Sequence, residues 1–472
     1  MRPVNRRGFL RGGAALPLLV RAGRAAAADE PRRELVRDPA GIIDLPRGFS
    51  YRILSRSGEP MSDGYRTPGN PDAMGVFTLP GGELALMRNH EITPGDRGHG
   101  PLHDGQAQPP EAYDPEGSGG VTRLLLDPQT LTIRRSNLVL TGTHWNCAGG
   151  LSPWGWLSCE EIFVPNHGYV FLCPTNADQV ATARPIKPYG RFRHEAATVD
   201  PATMIAYLTE DMGDAAFYRF LPNDPRAPFE GKLQALAIHD AERFDTSYMQ
   251  PGQRLAVHWV DVPEADPHDD NVRLQAHAAG AARFARTEGL WLAGADAYIC
   301  ATTGGPIGRG QVFRLHHSPQ QEAKLEVVAH ASDTSVLDMP DNLTVSPHGH
   351  VYVAEDGLEG NFVRRITPGG GVVDFARNAL SLSEFAGPCF SPDGKHMFVN
   401  IQHDGLTLAI SGPFANERDA KPLRSGQMGH SRDTWTTGAT GLGSGLAIIA
   451  LAALARRKRQ RAENPAADKP AD

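Results

Sequence analysis

Between Asn146 and Glu161 the chain reads NCAGGLSPWGWLSCEE, which sets a thiol, Cys147, one short bend away from two adjacent carboxylates, Glu160 and Glu161. Gly149, Gly150, Pro153 and Gly155 are turn formers, and Trp154, Trp156 and Leu157 are strand formers, so the segment reads as a hairpin. A soft sulfur donor and hard oxygen donors held close by a stiff bend suggest a metal site. A buried cysteine in an ordinary hairpin, with both glutamates in solvent, fits the same residues when the segment is taken alone.

Other acidic signatures tip that balance. Asn89-His90-Glu91, Arg193-His194-Glu195, Thr209-Glu210-Asp211, Arg286-Thr287-Glu288 and Ala354-Glu355-Asp356-Gly357 recur along the chain, and Gln402-His403-Asp404-Gly405 repeats the theme with His and Asp. Most of them fall at the ends of short strand-like runs, such as Glu83 to Met87, Val121 to Leu126, Ile205 to Leu208, Leu290 to Ala293 and Val351 to Ala354. Each run is bounded by Gly, Pro, Asn or Asp, and no long helical periodicity interrupts residues 40–415. Turns of one kind separate them, as at Asp127-Pro128, Asp200-Pro201, Ser346-Pro347-His348-Gly349 and Ser391-Pro392-Asp393-Gly394. A turn that recurs across a large all-β domain predicts a β-propeller. In such a fold the innermost strand of every blade lines the central channel, so equivalent strand ends converge on one axis. Carboxylates that meet there repel one another unless they are protonated, paired or wrapped around cations. An oxygen-rich ring suits Ca²⁺, and a thiolate within it suits a transition metal such as iron.

The chain of 472 residues, 40% hydrophobic, is long enough to bury a large core, and its 51 glycines and 38 prolines suit many turns. A net charge of −7 without an interior basic run argues against nucleic acid as a partner. The five cysteines form neither a CxxC pair nor a paired framework, which leaves a thiol over in an exported protein. Export is the reading of the N-terminus: Asn5-Arg6-Arg7-Gly8-Phe9-Leu10-Arg11 has the twin-arginine pattern, with an apolar stretch and small residues after it. The expected organisation is a signal peptide over 1–28, a catalytic propeller over 40–415, a linker over 416–436, an apolar membrane-anchoring or sorting segment over 437–455, and a basic tail over 456–472. Because the twin-arginine translocase carries folded proteins, it allows a cofactor to be inserted before transport.

The segments NCAGGLSPWGWLSCEE, GRFRHEAATVDP, TEDMGDAAFYRFLP, MPDNLTVSPHGHVYVAEDG and FSPDGKHMFVNIQHDG, in this order over most of residues 85–405, resemble the PhoX-type bacterial alkaline phosphatases. That resemblance implies an all-β, six-bladed β-propeller with long inserted loops, acting as a monomer on small phosphate esters. It also implies a central cofactor of two irons and three calciums joined by a bridging oxo group. By motif, Cys147 would be the iron thiolate ligand, with Glu160 or Glu161 beside it. Glu195, Glu288, Asp341 and Glu355 would supply oxygen ligands, with Asn342 a weaker candidate. Arg286 would hold the phosphate through its fork of N–H donors, although a surface arginine paired with Glu288 fits the same spacing. Glu91, Glu210 and His403 lie in similar segments without an assigned role. The segment around Arg286 reads RTEGL where the family pattern has Arg-Pro-Glu-Asp-Gly, a departure that bears on substrate. A calcium-dependent lactonase with a drifted site, and a calcium-binding propeller without catalysis, are the competing readings.

Overall fold

The computed structural model describes residues 34–318 and 321–416. The expected signal peptide, the anchoring segment, the tail and nearly all of the linker lie outside the described residues. Among the described residues, strands dominate, one short α-helix occurs at Val272–Ala278, and no helix is long and apolar enough to cross a membrane.

The strands form five antiparallel sheets in a propeller-like arrangement. One sheet runs outward from Pro71–Thr78 through Leu84–His90 and Gly119–Leu126 to Ile133–Thr143. A three-stranded sheet follows, from Asn146–Ser152 through Gly155–Glu160 to Val170–Cys173. The largest sheet has nine strands; its ends are His194–Val199 and Thr287–Ala293, and its middle is the pairing of Arg254–Asp261 with Gln321–His330. The fourth sheet starts at Pro340–Val345 and gains Ile43–Pro46 and Leu35–Val36 at its outer edge. The fifth starts at Phe385–Phe390 and is completed by Ser50–Arg56, which pairs with Leu406–Ser411. The two ends of the domain are therefore tied into common sheets, which closes the ring without a covalent bond.

The starting strands pack side by side in a closed circuit: Pro71–Thr78, Asn146–Ser152, His194–Val199, Thr287–Ala293, Pro340–Val345, Phe385–Phe390 and back to Pro71–Thr78. Aromatic residues fill the spaces between sheets; Trp156, Phe171, Tyr207, Phe217, Phe284 and Phe313 share one core, each contributing roughly 1.5–3 kcal/mol through burial.

Close approach at the axis depends on missing side chains. A Cβ at Gly289 would stand 2.4 Å from the Asp341 carbonyl oxygen, and one at Gly387, whose φ is +60°, would stand 2.4 Å from the Asp72 carbonyl oxygen. Gly289→Ala is expected to cost about 1–3 kcal/mol by forcing neighbouring strands apart, read as a lower denaturation midpoint with reduced metal content. An unchanged midpoint would show that the strands can yield.

Candidate metal centre

The hairpins that begin each set of strands share one construction at the axis end. The first residue of the inner strand faces the last residue of the next: Pro71 with His90, Asn146 with Glu160, His194 with Glu210, Thr287 with Ala301, Pro340 with Glu355 and Phe385 with Ile401. The register then slips within the first few residues of every inner strand. Such slips re-aim side chains and are common beside active sites. In five of the inner strands the residue at the slip is Asp72, Cys147, Glu195, Glu288 or Asp341.

A second tier follows the second strand of each hairpin. The N–H groups of Glu91, Glu161, Asp211, Thr302, Asp356 and Gln402 donate to the carbonyls of Asn70, Trp145, Arg193, Arg286, Met339 and Glu384, at 2.9–3.2 Å. Four of those acceptors, Asn70, Trp145, Arg286 and Met339, hold φ between 40° and 56°. Left-handed backbone at non-glycine residues is strained and tends to mark functional sites. The bond from the second tier is what locks this turn at the mouth of each hairpin.

The two tiers meet as one cluster. Cys147, Glu161 and Glu195 bring ligand atoms within 4.8 Å of one another, and so do Asp72, Glu91 and Cys147, which makes the sulfur common to both groups. Cys147 Sγ lies 3.6 Å from Asp72 Oδ2. Burial pushes the Asp72 carboxyl up to about 7, and burial with neighbouring Asp72 pushes Glu91 up to about 8. Glu161, Glu195, Glu288, Asp341 and Glu384 are held well above the usual carboxylate range, first by burial and then by the neighbouring carboxylates, among them Asp72, Glu91, Asp211 and Asp356. Burial and the surrounding carboxylates also raise the Cys147 thiol. Without cations the surroundings favour the protonated form of each group; cations invert that preference and stabilise carboxylates and thiolate alike. Asp72 Oδ1 and Glu195 Oε1 are buried without a hydrogen-bond partner, an arrangement that is costly unless an ion completes it. Hard oxygen donors around a shared sulfur fit a mixed centre of a transition metal and calcium.

Not every residue expected in the site stands there. Glu160 is fully buried on the other side of its strand, where it accepts from the N–H groups of His144, Gly168 and Tyr169 and from His167 Nδ1 at 2.6–3.4 Å. Glu355 likewise turns into its sheet, bonded to Arg364 Nε and the Asp338 N–H, both at 2.9 Å. Successive strand residues face opposite ways, so the second member of each acidic pair, Glu161 or Asp356, belongs to the tier at the axis. Glu210 obeys the same rule, accepting from the Tyr218 hydroxyl at 2.7 Å while Asp211 joins the cluster. Asn342 is engaged beside Asp341: its Nδ2 donates to Asp341 Oδ1 at 2.9 Å and its Oδ1 accepts from the Gly387 N–H at 2.6 Å. His403 is exposed, one residue beyond the second tier.

Asp72 and Glu384 join the cluster from outside the acidic signatures, whereas Asp211 and Asp356 stand within them without an assigned ligand role. A signal for the first existed: Asp72-Ala73, Cys147-Ala148, Glu195-Ala196 and Glu288-Gly289 all place a donor before a residue small enough for close strand packing. Gln402 links this side of the ring, donating to Asp72 Oδ2 and Glu91 Oε2 at 2.7 Å.

Arg286 is the cation placed at the cluster. Its Nε and Nη2 form a fork onto Asp211 at 2.7 and 2.9 Å, and Nη2 also pairs with Glu288. The side chain keeps 30% of its surface exposed, so it joins the buried carboxylates to solvent.

The family profile of alkaline phosphatase PhoX matches residues 31–405. The chain belongs to the PhoX alkaline phosphatase family. It is accordingly a phosphoric monoester hydrolase. No curated protein matches it. Among solved structures, Pseudomonas fluorescens PhoX in complex with vanadate, a transition-state analogue, superimposes with a TM-score of 0.61 at 19% identity, covering 81% of this chain and 97% of that one. The periplasmic gluconolactonase PpgL of Pseudomonas aeruginosa gives a TM-score of 0.38 at 16% identity, over 81% of this chain and 95% of its own. The gluconolactonase XC5397 of Xanthomonas campestris gives 0.42 at 11% identity, over 82% and 99%. The likeness to the PhoX structure establishes the shared propeller-type fold, and membership of the PhoX family carries the phosphatase chemistry.

Proposed function

We propose that this PhoX family member is an exported alkaline phosphatase whose six-bladed propeller holds iron and calcium at its axis. Counting blades by starting strands supports the number six, with the nine-stranded sheet divided where Arg254–Asp261 meets Gln321–His330. The observation that carries the metal reading is the sharing of Cys147 between two groups of carboxylates. Iron would be held beside the sulfur by Cys147, with Glu161, Glu195, Asp72 and Glu91 as the neighbouring oxygen donors. Glu288, Asp341, Asp211, Asp356 and Glu384 are the oxygen donors suited to calcium. When bound, these ions polarise the phosphoryl oxygens and stabilise the charge that builds up in the transition state.

The protein's own part is to gather, hold and shield. The inner tier, Asp72, Cys147, Glu195, Glu288 and Asp341, is buried and keeps bulk water from beneath the ester. Asp211 and Glu288 fix the Arg286 guanidinium through Nε and Nη2, and the rigid plane of the group fixes the direction of the third nitrogen, Nη1. Arg286 holds a non-bridging phosphate oxygen through that nitrogen. Export follows from the twin-arginine pattern at Asn5 to Arg11, and the apolar C-terminal segment supplies an anchor or a sorting signal.

Arg286→Lys keeps the charge but loses the fork. It is expected to lower kcat/KM for p-nitrophenyl phosphate by about 10–100-fold, the equivalent of one charge-assisted hydrogen bond, with metal content intact. Unchanged kinetics in a fully metallated variant would remove Arg286 from the phosphate site. Vanadate, bound by the Pseudomonas fluorescens enzyme, is expected to inhibit competitively.

A further inference from the structure

Behind the hairpin that carries Cys147 and Glu161, a separate group of donors has no part in the phosphatase site. Asp114, His144 and His167 bring ligand atoms within 4.8 Å of one another. His167 Nδ1 stands 2.6 Å from Glu160 Oε1, and Glu160, entirely buried, also accepts three backbone N–H groups. Glu160 thus serves as an acceptor, so Nδ1 carries the hydrogen. In the neutral imidazole this leaves a lone pair on Nε2. That nitrogen faces Asp114 Oδ2 at 3.2 Å, and two lone pairs do not attract at that distance. Either a second ring proton, favoured by the carboxylates of Glu160 and Asp114 on either side, or a metal cation lies between them.

His144 is the second observation. The residue is 93% buried, its ring lies 4.5 Å from the His167 ring at a tilt of 46°, and its Nδ1 has no hydrogen-bond partner. A buried imidazole nitrogen left unsatisfied beside two other donors is expensive unless a ligand completes it. The 3.2 Å between His167 Nε2 and Asp114 Oδ2 fits one ion, since donors about 2.0–2.1 Å from a tetrahedral Zn²⁺ stand about 3.3 Å apart, and His144 lies within 4.8 Å of both. The bond from His167 to Glu160 matches the orienting carboxylate that metal-bound histidines characteristically use on their other nitrogen. Asp114, with 35% of its side chain exposed, opens the site to solvent.

We propose that Asp114, His144 and His167 form a second metal site, for a single divalent transition ion of the Zn²⁺ class, with Glu160 orienting His167 and a fourth position open to water. The site fastens three segments around the central cluster. The Asp114 loop is pressed onto Gly142, where a Cβ would meet the Tyr113 and Asp114 nitrogens at 2.6 and 2.7 Å. Trp145, next to His144, donates its N–H to the Ile92 carbonyl and accepts from the Glu161 N–H, at 2.9 and 3.0 Å. The ion thereby clamps the backbone beside Glu91, Cys147 and Glu161 without touching them. This inference stands whether or not the central site is a phosphatase.

The probe is Co²⁺, added to the iron- and calcium-loaded enzyme after prolonged dialysis and followed by its visible d–d absorption and by elemental analysis. Wild type is expected to take up about one Co²⁺ per chain with the intense spectrum of a four-coordinate ion, displaceable by Zn²⁺. His144→Ala is expected to abolish that uptake, and Glu160→Gln to weaken it about 10–100-fold. Asp114→Asn, in a partly exposed loop, is the control for folding: it should keep the native circular dichroism while losing most of the Co²⁺ affinity. Absence of Co²⁺ uptake by the wild type, or uptake by folded Asp114→Asn and His144→Ala equal to that of the wild type, would overturn the proposal and leave a proton as the bridge between His167 and Asp114.

Discussion

Cys147→Ala is expected to remove iron from the centre and to lower turnover of p-nitrophenyl phosphate by more than about 100-fold, since even partners one bond removed from a ligand cost about 10–100-fold. The sulfur is the member common to both donor groups, so its loss breaks both at once. Little is expected to happen to the fold: Cys147 carries a small, buried side chain, and alanine at that place opens only a small cavity, worth about 1 kcal/mol. Activity and fold should therefore separate, with circular dichroism at room temperature unchanged while iron, turnover and the stability that the bound ion supplies are lost. A calcium-only lactonase on the same scaffold has no use for the thiol and would survive the change. Cys159 offers the internal comparison; it is buried in the same hairpin but is absent from either donor group, and Cys159→Ala should retain both metal and activity.

Removing the ions should have the second large effect, and its dependence on pH has a definite sign. Asp72 and Glu91 are pushed up to about 7 and about 8 in the metal-free protein, first by burial, whereas in the unfolded chain such groups ionise near 4. Between about pH 4 and pH 8 the folded metal-free state therefore holds more protons than the unfolded state, and its stability must fall as pH rises. Glu161, Glu195, Glu288, Asp341 and Glu384 are shifted in the same direction and add to the slope. With the ions in place the carboxylates are already ionised, and protons compete with metal only at the acid end. Chelated protein is expected to melt on the order of 10 °C below the loaded protein at pH 8, with the gap closing toward pH 5. An ion present at about 1,000 times its Kd contributes about 4 kcal/mol, which is of the right size. A metal-free protein that grew more stable toward pH 8 would mean that these acids do not share one buried cluster.

The fold was readable from turn chemistry and short apolar runs, because recurring Asp-Pro and Pro-x-Gly turns mark a sheet that repeats. Strands stand at Leu84–His90, Gly119–Leu126, Ala206–Glu210, Thr287–Ala293 and Val351–Glu355, where the runs had predicted them. The site was readable in its location but not in its parity. Adjacent acids such as Glu160 and Glu161, or Glu355 and Asp356, look equivalent in a sequence, yet a shift of one residue turns a side chain to the opposite face. Only the pairing of Asn146 with Glu160, and of Pro340 with Glu355, decides which acid meets the axis. Asp72 was hidden for another reason: Asn70-Pro71-Asp72 reads as a turn, whereas Pro71 begins an inner strand after the left-handed Asn70. Glu384 lies in a serine-rich stretch with the look of an exposed loop, and only ring closure carries it beside Asp341 and Asp72.

The most direct test is elemental analysis of the exported protein, paired with its turnover of p-nitrophenyl phosphate before and after chelation. Iron and calcium should copurify in fixed ratio, activity should disappear with them, and both should return together when the ions are restored. Full turnover by protein freed of both metals would contradict a cation cage at the axis as the seat of the chemistry.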